Sequence, residues 1–130
     1  MAQAPKILGV MSDLFFSVKI IDAAKRLGSS AEFVKDPERV LEKARLHPPV
    51  IVLDLNCGDV DPVHLLQRLK SDPETSKIPV VAFVSHVQTQ LKQDAERAGC
   101  DVVVARSAFS QNLTALLERY LTPAPDPAAH

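Results

Sequence analysis

Residues 50–56, VIVLDLN, decide how the rest of the chain is read. An unbroken apolar run of this length marks a strand buried on both faces, as a central parallel strand is. Asp54 interrupts it, and an unpaired carboxylate in an apolar site costs several kcal/mol. Two readings of Asp54 are open. It lies at the strand's end with chemistry to do, or a cation neutralises it.

Outward from that strand, β-rich runs alternate with helical patterns. Upstream, Asp36-Pro37-Glu38 starts a helix with an N-cap, a proline and an acid near the positive dipole end. Val40, Leu41 and Ala44 continue it until Pro48-Pro49 forbids it. KILGV (6–10) and AEFVK (31–35) read as two earlier strands. Between them, Leu14, Val18, Ile21 and Ala24 recur at helical spacing as one buried face, ending at Gly28. Downstream, Asp61-Pro62 opens a helix with Val63, Leu65, Leu66 and Leu69 as its apolar side. VVAFV (80–84) and DVVVA (101–105) are strands four and five. Leu91, Ala95 and Ala98 mark a weaker helix between them. Ser110 is expected to cap a last helix with Leu113, Leu116, Leu117 and Tyr120 inward.

Five such units predict an α/β fold, a doubly wound, flavodoxin-like parallel sheet with helices on both faces. Residues 6–121 form the single domain, residues 1–5 a short tail, and the Pro/Ala-rich 122–130 a disordered tail. The chain has 130 residues, 46% apolar and 24% charged, with a net charge of −1. That balance offers no broad basic field to nucleic acid or an anionic membrane. No apolar run approaches a transmembrane length, and no signal-peptide layout opens the chain, so a cytoplasmic location is expected. Cys57 and Cys100 have no metal-ligand spacing.

In a five-stranded sheet of order 2-1-3-4-5, ligands gather where the order reverses, outside the carboxyl ends of strands one and three. Met11-Ser12-Asp13, Asp54, Val84-Ser85-His86 and Arg106-Ser107 all fall on that rim.

KILGVMSD, VIVLDLN, KSDPETSKIPVVAFVSH and AERAGCDVVVARSAF together resemble the receiver domain of response regulators, the CheY-like family. The resemblance covers nearly all of residues 6–121. It implies that Asp54 occupies the phosphoacceptor position, with Asn56 supplying a backbone carbonyl to Mg²⁺. It also implies two-component (phosphorelay) signalling in the cytoplasm, with a histidine kinase or an output protein as partner. A homodimer face is implied over residues 88–121, from Gln88 onward.

The departures from the family pattern carry equal weight. The two acids after strand one are replaced by Met11 and Ser12, with Asp13 one place further along. The switch hydroxyl falls on Val84, with Ser85 beside it, and the switch aromatic falls on Val103. Arg106 and Ser107 stand at the lysine and proline positions. Mg²⁺ wants hard oxygen ligands, so metal binding is expected to be weakened, with Asp13, Asp54 and Asn56 its weak candidates. No other cofactor and no enzymatic activity are expected beyond acceptance of a phosphoryl group. An Asp54–Arg106 ion pair is expected to replace the metal cluster.

The first functional reading is therefore a stand-alone receiver-like module acting through protein contacts, with phosphorylation of Asp54 impaired or absent. The alternative is a working receiver that tolerates the substitutions through Asp13 and Ser85. A third reading is a flavodoxin-like cofactor carrier. It would need a glycine-rich phosphate cradle after strand one, where MSDLFFS (11–17) has no glycine. One of Phe15 and Phe16 is expected in the core. His86 reads as a solvated loop histidine rather than a pH sensor or phosphate contact. His47, His64 and His130 show no ligand spacing, and Cys57 reads as an inert thiol.

Overall fold

The computed structural model describes residues 6–58, 60–85 and 89–121. The two tails, His86, Gln88 and His130 lie outside the described residues. Eleven elements follow in chain order: β1 (Ile7–Val10), α1 (Leu14–Arg26), β2 (Ala31–Val34), α2 (Pro37–Ala44), β3 (Ile51–Asp54) and α3 (Pro62–Ser71). They continue with β4 (Val80–Val84), α4 (Thr89–Arg97), β5 (Val102–Ala105), α5 (Arg106–Gln111) and α6 (Leu113–Leu121). All strand pairs are parallel, in the order β2-β1-β3-β4-β5. The three central strands are buried throughout, and the edge strands β2 and β5 are half-buried. This is the doubly wound sheet that alternating apolar runs and helical patterns predict.

One side of the sheet packs on α2, α3 and α4, through residues such as Val40, Leu41, Leu65, Leu66, Leu69 and Ala95. The other packs on α1, α5 and α6, through Phe16, Ile20, Phe109, Leu113 and Leu117. Asp36 and Asp61 cap α2 and α3 from their side chains, each followed by a proline in the first turn, as their sequence order demands.

The segment entering β4 is held by polar groups. Asp72 accepts from the Glu74 amide at 2.9 Å, and buried Thr75 donates to the Leu69 carbonyl at 2.7 Å. One Asp101 oxygen takes both Lys70 Nζ at 2.9 Å and the Val80 amide at 2.8 Å, tying α3, β4 and the start of β5 together. Gly99, at φ 105°, makes the left-handed turn before it. Burial pushes the neighbouring Cys100 thiol up to about 11, so it is an inert core group at neutral pH.

Two expectations are corrected. In α1 the apolar face chosen from Leu14, Val18 and Ile21 is the outer one: Leu14 is 80% exposed and Val18 64%. The buried face is Phe16, Ile20, Ala23 and Ala24. This helix is apolar almost all round, so spacing fits either stripe. Asp13 decides the phase by capping α1 through the Phe16 amide, which turns Phe16 and Ile20 onto the sheet. The second correction concerns Ser110. The last helical region starts directly after β5 at Arg106, breaks at Asn112 and resumes at Leu113, so Ser110 lies inside α5 and caps nothing. Its hydroxyl instead accepts from Lys19 Nζ at 2.7 Å.

The two α1 stripes are separable by mutation. In urea melts, Ile20→Ala should cost about 2–5 kcal/mol as a fully buried truncation. Leu14→Ala should stay within about 0.5 kcal/mol, as an exposed one does.

Candidate functional site

Asp54 closes β3 in register with Phe83 of β4. It is only 5% exposed. Its Oδ1 accepts the Asn56 amide at 2.8 Å, and its backbone carbonyl accepts the Cys57 amide at 3.1 Å, a tight turn out of the sheet. The Asn56 side chain accepts the Ser85 amide at 3.1 Å, joining the ends of β3 and β4. Sequence reading assigned Asn56 only a backbone role and missed this tie. Desolvation by burial pushes the Asp54 carboxyl above its ordinary value. The Asn56 amide and the field of Arg106 oppose that rise, and the Asp13 charge adds to it.

Arg106 does not pair with Asp54. Its guanidinium bonds Asp13 Oδ2, and no ion pair joins it to Asp54. Its central carbon lies 4.3 Å from the Phe16 ring centre and 5.9 Å from that of Phe83. Beneath it, Phe16 stacks on Phe83 at 5.0 Å and Phe83 on Phe109 at 4.8 Å. The choice of partner follows from desolvation. Beside Asp13 the Arg106 side chain stays 42% exposed while its guanidinium covers the rings. Meeting Asp54 would take the cation into a buried site, where ion pairing repays several kcal/mol of lost hydration only with excellent geometry.

Asp13 therefore does two things at once: it caps α1 with Oδ1 and holds Arg106 with Oδ2. Partial burial works to raise its carboxyl, but the Phe16 amide and the Arg106 guanidinium together hold it below the ordinary value. Met11 points into the core with Phe16 and Phe83 and is only 2% exposed, whereas Ser12 is exposed. Val84 is buried and Ser85 half-exposed. Cys57 is buried, and the expectation that one phenylalanine enters the core falls to Phe16, with Phe15 64% exposed.

Mg²⁺ would find a poor donor set here. The Met11 thioether is turned away, Asp13 is engaged by a cation, and among the described residues Asp54 is the one carboxylate at this rim without a cationic partner. Among the described residues no cluster of three or more His, Cys, Asp or Glu side chains is spaced to hold a metal. The phenylalanine stack was not read from the sequence. Phe16 and Phe83 each fit a core position alone, and nothing in their spacing shows that they meet.

No family model matches the chain. It is 22% identical over 119 residues to the polar-differentiation response regulator DivK of Brucella anthropi, spanning 90% of this chain and 97% of that protein. Among solved structures it matches the phosphorylated cyanobacterial phytochrome response regulator RcpA with a TM-score of 0.75 at 22% identity, over 95% of this chain and 99% of that one. It matches the receiver domain of the Pseudomonas aeruginosa sensor histidine kinase PA1611, which carries a magnesium ion in its active site cleft, with a TM-score of 0.76 at 16% identity, over 93% and 100% of the two chains. The chain has the CheY-like fold of response-regulator receiver domains. Among the described residues no helix is long and apolar enough to cross a membrane.

The position of Asp54 has a pH signature. Unfolded, it titrates at its ordinary value of 3.8; folded, it titrates higher. The fold thus binds more protons than the unfolded chain in that window, and stability falls as pH rises through it. Asp54→Asn keeps the acceptor for the Asn56 amide and removes the charge. It should stabilise the protein by about 1–2 kcal/mol at pH 7. In urea melts across pH, the gain should shrink towards zero below the ordinary carboxylate range.

Proposed function

We propose that this chain is a receiver-type signalling domain that acts by binding a partner protein, with phosphoryl transfer to Asp54 impaired or absent. The observation that carries this reading is the engagement of Asp13 by Arg106. Phosphoryl transfer needs positive charge over the developing oxygens, normally supplied by a metal ion. Here the acid nearest the missing pair is already neutralised by a guanidinium, and Met11 is packed away. The receiver fold supports the signalling class, and DivK, a response regulator, supports two-component partners such as a histidine kinase or an output protein.

A contact role has its own support. Leu14, Phe15, Val18 and Ile21 leave an apolar row on the outer face of α1. Such a continuous row is a feature of interaction surfaces. Among the described residues, the face over 88–121 expected to form a dimer carries no large exposed apolar side chain. This favours α1 as the contact surface.

One observation favours the second reading, a phosphorylatable Asp54. Its Oδ2 accepts no hydrogen bond from a described residue, so an oxygen remains for attack on a small phosphodonor.

Intact-mass measurement after incubation with Mg²⁺ and acetyl phosphate separates the two. The proposal expects no added phosphoryl group. A gain of one such group that disappears in Asp54→Asn would establish the second reading instead. Ser12→Asp, which adds an acid on the exposed side of the rim, should raise Mg²⁺ affinity above that of the unaltered protein in a calorimetric titration.

A further inference from the structure

Sharing Ser85, Arg106 and Ser107 with the rim, but not lined by Asp54, lies an open groove of about 420 Å³ walled, among the described residues, by Phe15, Phe16, Ser85, Arg106, Ser107 and Ser110. That size suits a small organic molecule. Two walls are aromatic. Phe15 stands edge-on to Phe16 at 6.1 Å, and Lys19 Nζ sits 4.7 Å over the Phe15 ring while donating to Ser110. The outer phenylalanine is thereby braced as a wall.

The polar groups are mostly donors with capacity to spare. A guanidinium carries five N–H donors, and Arg106 uses only one amino group, on Asp13, among the described residues. The hydroxyls of Ser85 and Ser107 bond no described residue, and Ser110 accepts from Lys19 and keeps its own proton to give. Donors converging on an aromatic-walled groove suit an acceptor-rich head on a flat apolar body.

Charge narrows the class further. Among the described residues, Arg106 and Lys19 are the cations at the groove, and Asp13 and Asp54 are the anions whose charges act with Arg106. Asp22, on the Lys19 side, is bonded by Arg26 at 3.1 Å. The local balance is close to neutral, so a polyanion such as a nucleotide phosphate would gain little. A monoanion recognised by directed donors fits better, and a guanidinium fork matches a carboxylate.

We propose that this groove binds a small organic carboxylate with a flat apolar body. The carboxylate is taken by Arg106 and the serine hydroxyls, and the body lies against Phe15 and Phe16. Binding does not depend on whether Asp54 accepts a phosphoryl group.

The test is an amide-resolved NMR titration of the full chain with 1-naphthoate, alongside neutral 1-naphthalenemethanol and inorganic phosphate. Saturable shifts are expected at the start of α1, at Ser85 and along α5, with a dissociation constant of roughly 0.1–1 mM. Arg106→Gln should weaken binding about tenfold. Phe15→Ala, which removes a mostly exposed ring and leaves the fold intact, should weaken it about threefold. If Arg106→Gln fails to fold, Phe15→Ala decides. Equal binding of the neutral analogue, saturation of the same amides by phosphate alone, naphthoate shifts elsewhere, or undiminished binding by Phe15→Ala would each overturn the assignment.

Discussion

The contact between Arg106 and Asp13 above the phenylalanine stack organises the rim of this sheet. It joins the first residue of α5 to the residue that caps α1, across the ends of β1, β3 and β4. Several modest terms act on one guanidinium. A cation over an aromatic face contributes about 0.5–2 kcal/mol, and each ring pair beneath it about 0.5–1.5 kcal/mol beyond its burial. The ion pair itself is half exposed and adds little alone. Together they outweigh any gain from moving the cation down to a buried carboxylate, where the hydration lost is largest.

That preference shapes the rest of the crevice. Asp54 is left with a backbone amide and the distant field of Arg106, and burial raises its proton affinity. Phe83 pairs with Asp54 across the sheet and stacks on Phe16, so the acid's immediate neighbour is part of the core that supports Arg106. Arg106, with donors not spent on Asp13, also lines the groove beside Phe15. Among the described residues, one ion pair thus separates the rim into an acid without a cation and an aromatic pocket with donors to spare.

Much of this was legible residue by residue. Asp36-Pro37 and Asp61-Pro62 announced helix starts because capping and proline geometry are local. VIVL before Asp54 announced a central strand because burial on both faces leaves no room for alternation. The placing of Asp54, Asn56, Ser85 and Arg106 at one rim followed from strand order alone. Three features were not legible. The inward stripe of α1 was ambiguous because both candidate stripes are apolar. The start of α5 at Arg106 carries no side-chain cap to mark it. The partner of Arg106 depended on competing desolvation costs that spacing does not encode.

The sequence by itself determined the α/β layering, since hydrophobic period, caps and turn residues act over a few positions, and, once the order of a CheY-like sheet is taken, the rim on which the chemistry-bearing residues meet. Only the tertiary structure decided which acid Arg106 binds, which side of α1 faces outward and where the groove opens. Those outcomes depend on how deeply each group is buried, and burial depth is a property of the packed chain, summed over contacts far apart in sequence.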